Sequence, residues 1–154
     1  MIRVRAAKVE DVPRLLEIAS HSATAARWNE TEYGKLFASN TPPGLVALVI
    51  EEDALVQGLL AGRRLAETEW EIENVAVSAP ARRRGLGTHL MGAFLKLVRE
   101  SGGREVFLEM RESNHAARAL YEKWAFIECG RRRNYYRSPD EDALVLKFSF
   151  PNPV

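Results

Sequence analysis

Of the 154 residues only one is cysteine, Cys129. That excludes an internal disulfide and a cysteine-based metal cluster, and a reducing compartment is the simplest setting. No apolar run is long enough to span a bilayer, and charges at Arg3, Arg5, Lys8, Glu10 and Asp11 interrupt the N-terminus where a secretory core would lie. A cytoplasmic protein with no membrane partner is expected. An excess of one charge is missing too: 22 Lys plus Arg against 21 Asp plus Glu leave +1, so no global field favours nucleic acid or an anionic membrane. Local patches must do any anion binding. The three histidines, His21, His89 and His115, form no ligand spacing, and metal-based or Ser-His-Asp mechanisms lack a supporting constellation. Internal repeats, low-complexity tracts and dividing linkers are absent. At 46% hydrophobic content the chain can bury one good core but is too short for two ordinary domains, so residues 1–154 read as a single domain.

What is present is a regular succession of elements. Ile2 and Val4 alternate with charge as a first strand, after which Asp11 can cap a helix with Pro13 in its first turn and Val12, Leu15, Leu16 and Ala19 on one face. Asn29 with Glu32 suggests a capping box for a short helix near Tyr33 to Ala38, and Pro42-Pro43-Gly44 breaks the chain. Leu45 to Ile50 and Leu55 to Leu60, separated by Glu51-Glu52-Asp53, read as a hairpin, and Trp70 to Val77 follows as a fourth strand. Leu86, Leu90, Met91, Phe94, Leu95 and Val98 recur at helical spacing until Gly102-Gly103. Val106 to Met110 is a fifth strand, Asn114 can cap a helix through Ala116, Ala119, Leu120 and Trp124, and strands near Phe126 to Arg132 and Ala143 to Phe150 close the chain. The order β-α-α-β-β-β-α-β-α-β-β predicts an α/β fold, a mixed sheet with helices on both faces.

Between the fourth strand and the long helix lies Arg82-Arg83-Arg84-Gly85-Leu86-Gly87-Thr88. Glycines there let the backbone turn tightly and approach a ligand, while the first N–H groups of the following helix make an anion site. Adjacent arginines suit a diphosphate. An ordinary glycine turn beside a solvated basic patch is the alternative. The third glycine and downstream acid of a dinucleotide fold are missing, as is the Gly-Lys-Ser/Thr ending of a Walker loop.

The Arg-x-x-Gly-x-Gly segment is preceded by Asn74-Val75-Ala76-Val77. It is followed by Leu108-Glu109-Met110-Arg111-Glu112-Ser113-Asn114, Ala119-Leu120-Tyr121-Glu122-Lys123 and Arg132-Arg133-Asn134-Tyr135-Tyr136. In this order the pieces resemble the bacterial ribosomal-protein-alanine N-acetyltransferase (RimI-like) branch of the GNAT superfamily. The resemblance runs from about Trp70 to Phe148; before that, only element order and an aromatic near Trp28 agree. It implies a mixed sheet whose fourth and fifth strands splay apart around acetyl-CoA, the cosubstrate, with no metal. Backbone groups of Val75, Ala76 and Val77 would pair with the pantetheine arm. Arg83, Arg84, Gly85, Leu86, Gly87 and Thr88 would surround the pyrophosphate, and Asn114 would hydrogen-bond the cofactor while also serving as a helix N-cap.

An α-amine with a pKa of ~8 must lose its proton before attacking a thioester. Glu109 is the implied general base, with burial expected to raise its pKa; a carboxylate exposed at a strand end and paired with Arg111 or Arg118 is the alternative. Tyr121 is the candidate acid for the departing thiolate, or else a half-buried core aromatic. A backbone N–H near Val75 would polarise the thioester carbonyl. Cys129 has no histidine in its segment, which argues against an acylated thiol. The implied acceptor is a protein or peptide N-terminus, the N-terminal alanine of a ribosomal protein, beneath a loop over residues 131–136. A small amine drawn by Glu71, Glu73 and Glu112, or a non-catalytic acyl-CoA-binding module, are the alternatives. No direct nucleic-acid role is expected, and either a monomer or a homodimer fits. One departure from the branch is Trp124-Ala125 in place of Leu-Gly; if that turn needs φ > 0, Ala125 costs ~1 kcal/mol.

Overall fold

Hydrophobic alternation along the strands requires cover on both faces of the sheet. In a computed structural model describing residues 1–22, 26, 28–38, 44–79 and 85–151, the order is β1 (Ile2–Ala6), α1 (Val12–Ala19), α2 (Glu30–Gly34), β2 (Leu45–Glu52), β3 (Leu55–Arg64), β4 (Glu69–Val77), α3 (Leu86–Glu100), β5 (Glu105–Arg111), α4 (His115–Lys123), β6 (Ile127–Tyr136) and β7 (Glu141–Ser149). Arg27, Pro42, Pro43, Arg82, Arg83 and Arg84 lie outside the described residues. Neighbours Val49 and Ile50 of β2 are both fully buried yet join different cores, as do Leu59 and Leu60 of β3. Successive side chains of a strand point to opposite faces, so each such pair serves two helix layers. Val12, Leu15, Ile18 and Tyr33, from α1 and α2, form the smaller core; Leu86, Leu90, Phe94 and Val98 of α3, with Ala117 and Tyr121 of α4, belong to the larger.

The strands form one seven-stranded sheet of order β1-β2-β3-β4-β5-β7-β6 among the described residues. Every pairing is antiparallel except β4 with β5. The β2–β3 hairpin turns at Asp53 and Ala54, both at positive φ (51° and 70°), the twist that a two-residue hairpin loop requires.

The expected element order holds, with corrections at two helix starts. Asp11 does not cap α1: it ends a tight turn, Val9–Asp11, accepts from the Lys8 N–H at 2.7 Å and pairs with Arg5. A carboxylate so engaged is unavailable to the next turn. The Asn29–Glu32 capping box is present, but it opens a helix at Glu30 rather than Tyr33, continued by a tighter turn over Lys35–Phe37.

Candidate active site

Parallel pairing of β4 with β5 covers only Glu69 with Glu105, Trp70 with Val106 and Glu71 with Phe107. Beyond that point β4 follows β3 to Val77 and β5 follows β7 to Arg111, so the strands part. A bulge lies where they diverge: Ala61 pairs with Asn74 and Gly62 with Ile72, leaving Glu73 as the extra residue. Such an insertion bends its strand and re-aims side chains. Gly62 permits the close packing behind it, since a Cβ there would meet Glu71 O and the Phe94 ring at 2.7 Å.

The parting opens a cleft of about 760 Å3 that draws its lining from both faces of the sheet: Leu16, Trp28, Glu71 and Glu109 on the side of α1, Ala117 and Tyr121 from α4. Asn74 and Val75 from β4, with Tyr135 and Tyr136 from β6, complete the lining.

On β5, Val106, Leu108 and Met110 are buried in the α3 core, so the alternate residues Phe107, Glu109 and Arg111 face the other side. Glu109, 18% exposed, forms an ion pair with Arg132 Nε at 2.8 Å. The charge of Glu109 is also the main reason that the proton affinity of the Tyr135 phenol is raised. Neither expected arginine partners Glu109. Arg111 pairs with Glu141 at 2.9 Å and Arg118 with Glu122 at 2.9 Å and Glu128 at 3.4 Å. Glu71 is the carboxyl lifted above its usual range, first by burial and then by the charges of Glu73 and Glu109. The sequence marks Glu71 as an acid that could draw a small amine, without signalling its burial.

Tyr121 is 5% exposed and packs edge-on against Trp124 and Phe126 at ring separations of 5.9 and 6.0 Å. Burial drives its phenol well above the ordinary value, with Tyr136 adding to the effect. It therefore holds its proton more tightly than a free phenol, whose pKa is ~10.

Around the α3 N-terminus, Gly85 is the helix N-cap at φ 78°, a conformation L-residues rarely adopt. The first helical bond runs from His89 N–H to Gly85 C=O at 2.9 Å, so the N–H groups of Leu86, Gly87 and Thr88 precede the ladder as an anion site requires. Leu86 is 1% exposed, which leaves only its backbone for a ligand. A Cβ on Gly87 would touch Val77 Cγ2 at 3.4 Å, so this turn sits against the end of β4. The Thr88 hydroxyl accepts from Trp124 Nε1 at 2.8 Å, tying α3 to the end of α4. Val75 and Ala76 bury their side chains, Val77 is half-buried, and Asn114 lines the cleft while accepting from the Ala117 N–H at 3.1 Å as the α4 N-cap.

From sequence Asn74 is only the first residue of the Asn74-Val75-Ala76-Val77 run. It is 2% exposed; its Nδ2 donates to the Tyr33 hydroxyl at 3.1 Å and its Oδ1 accepts from Ala26 N–H at 2.9 Å, which holds Ala26 at the cleft. An amide in mid-strand among valines was the available signal. Among the described residues no group of three or more His, Cys, Asp or Glu is placed to hold a metal.

A seven-stranded sheet parted between its parallel fourth and fifth strands, with a glycine-capped helix after the fourth, is the GNAT acetyltransferase fold. Residues 12–126 match the Acetyltransferase (GNAT) family, and the chain belongs to it. It is similar to the [ribosomal protein bS18]-alanine N-acetyltransferase of Escherichia coli (strain K12), 31% identical over 148 residues, which cover 95% of this chain and 96% of that protein. The crystal structure of the Escherichia coli ribosomal-protein-S18-alanine N-acetyltransferase superposes with a TM-score of 0.82 at 28% identity over 100% of this chain and 97% of that one. A GNAT family acetyltransferase from Elizabethkingia anophelis with acetyl-CoA bound shares the fold at a TM-score of 0.78 and 15% identity, over 97% of this chain and 98% of that one. The likeness therefore reaches into the N-terminal half, which the motifs alone did not reveal. The chain is an N-acetyltransferase, which sets aside the non-catalytic alternative.

Proposed function

We propose that the protein transfers acetyl from acetyl-CoA directly to an N-terminal α-amine, with an alanine-initiated ribosomal protein as acceptor. The supporting observation is the parted β4–β5 ladder, whose cleft has carboxylates on the α1 side and the Tyr121 phenol on the α4 side. Acetyl-CoA supplies the thioester. Its pyrophosphate would meet the backbone of Gly85, Leu86, Gly87 and Thr88, with Arg83 and Arg84 as flanking charges, and its pantetheine arm would run along Val75, Ala76 and Val77 past Asn114.

The acceptor arrives largely as an ammonium, given a reference pKa of ~8. Glu109 takes the proton: an O–H bond forms on the carboxylate as the N–H bond breaks, leaving a neutral amine to attack. The amine nitrogen bonds to the thioester carbonyl carbon, and as the C–S bond breaks Tyr121 gives its phenolic proton to the departing sulfur; the phenolate then recovers the second proton that the acylated nitrogen sheds. A buried phenol with raised proton affinity stays protonated at neutral pH, the form an acid must have, and is a slower donor than a free tyrosine.

Acceptor identity rests on the relatives' names and on the acidic acceptor side. Glu71 and Glu73 also favour a second reading, a small cationic amine, because both line the cleft. Mass spectrometry after incubation with acetyl-CoA tests the choice, using an alanine-initiated ribosomal peptide, the same peptide blocked at its N-terminus, and a panel of small amines. One acetyl gained by the free peptide alone is the expected outcome. Turnover confined to small amines would overturn the peptide assignment.

A further inference from the structure

Arg132 belongs by sequence to a basic run, residues 131–133, that reads as a solvated turn or a loop over the acceptor backbone. The fold gives it another task. In the sheet β7 separates β6 from β5. Arg132 pairs with Ala143, Ala143 with Arg111, and Val145 with Glu109, so these side chains share one face. Ala143, fully buried, presents only a methyl group between the outer strands. A long side chain at Arg132 can therefore lie across β7 and reach β5 on the diagonal, where its Nε meets a Glu109 oxygen at 2.8 Å.

One further contact supports that reach. The Arg132 guanidinium lies 5.6 Å from the centre of the Tyr135 ring. The β6 register shifts between Arg132 and Tyr136, and Asn134 takes φ 50°, so an irregular strand end brings both residues to Glu109. The other nearby arginines have different work. Arg111 is held by Glu141, by the Arg137 and Pro139 carbonyls and by the Tyr136 ring at 4.5 Å; Arg63 lies 3.4 Å from Glu73 and 3.8 Å from Glu71.

We propose that Arg132, reaching across β7 over Ala143, is the positioning residue that fixes the Glu109 carboxylate at the cleft for proton transfer from the acceptor amine. The proposal rests on Glu109 as the base. A guanidinium neither gives nor takes a proton here, so Arg132 acts on the reaction only through the Glu109 carboxylate that it holds. Its planar fork restricts the carboxylate in a way that a flexible ammonium does not.

A double-mutant cycle tests this, run on whichever amine the wild type acetylates, with kcat and KM measured for Arg132→Gln, Arg132→Lys, Glu109→Gln and the double variant Arg132→Gln/Glu109→Gln. Arg132 is 59% exposed, so its replacement leaves the fold intact, and thermal unfolding checks this. Misdirecting a reacting group costs about 10- to 100-fold in rate, so Arg132→Gln is expected to lower kcat by that order with KM changed less than about twofold. Arg132→Lys recovers part of the loss. In the Glu109→Gln background the same change is expected to move kcat by less than about twofold, because the group it orients is gone. An equal fold-loss in both backgrounds, a raised KM with kcat preserved, or no effect of Arg132→Gln would overturn the proposal. A Glu109→Gln enzyme with full activity would instead sink the base assignment itself.

Discussion

Replacing Ala125 by glycine is expected to stabilise the protein. Ala125 follows the last residue of α4's C-cap, Trp124, and sits at φ 69°. Its N–H bonds to Glu122 C=O at 2.9 Å, the Phe126 N–H bonds to Tyr121 C=O at 3.0 Å, and the Phe126 and Tyr121 rings meet at 6.0 Å. This is the Schellman arrangement, whose left-handed residue is usually glycine. An L-residue in that region costs roughly 1–2 kcal/mol. Glycine returns roughly 0.5–1 kcal/mol of this through the greater freedom of its unfolded chain, leaving a net gain of about 1 kcal/mol. For a chain of 154 residues that corresponds to a Tm higher by about 2–4 °C. Urea unfolding followed by tryptophan fluorescence is the assay, with a higher midpoint at unchanged slope as the expected result. An unchanged or lower midpoint would refute the strain argument.

Two further perturbations follow from charged groups. Asp11 accepts from both terminal nitrogens of Arg5 at 2.9 and 3.0 Å, and these bonds hold its carboxyl below the usual range. A depressed carboxylate stabilises the fold above its unfolded pKa of ~3.9 and loses that contribution as pH falls through the folded value. Asp11→Asn is expected to cost about 1–3 kcal/mol at pH 7, since Arg5 loses one of its two carboxylate partners and keeps Glu51 at 3.0 Å. The urea-midpoint gap from wild type should narrow in acid; a constant gap would contradict the linkage. Glu71 works in the opposite sense. Its raised carboxyl binds a proton more tightly in the fold, so stability falls as pH rises from the unfolded pKa of ~4.3 through the folded value. Glu71→Gln should raise Tm at pH 8 and leave it nearly unchanged at pH 4, and a pH-independent difference would exclude burial as the cause.

Local chemistry was legible in the sequence wherever a feature satisfied itself within a few residues. The Asn29–Glu32 capping box, the Asn114 cap and the left-handed residue at Gly102 all involve near neighbours, and their signals survive without tertiary context. Asp11 was misread because its strongest partner, Arg5, lies on a strand, where helix-start rules do not look. The motif order exposed the parting of β4 and β5 through resemblance, but not its physical companion, the bulge at Glu73, which depends on how β3 registers. Least visible was the Glu109–Arg132 pair. It needs the order β5-β7-β6 and two registers at once, and the nearer Arg111 offered a simpler partner.

Wild type and Glu109→Gln are compared on an alanine-initiated ribosomal peptide with acetyl-CoA, following acetylation of the free α-amine by mass spectrometry over time. General acid-base groups contribute typically ~100- to 10,000-fold, so the role of Glu109 as base requires acetylation by wild type and a kcat lower by about that factor in Glu109→Gln, with acetyl-CoA affinity retained. Equal rates for the two proteins would contradict it.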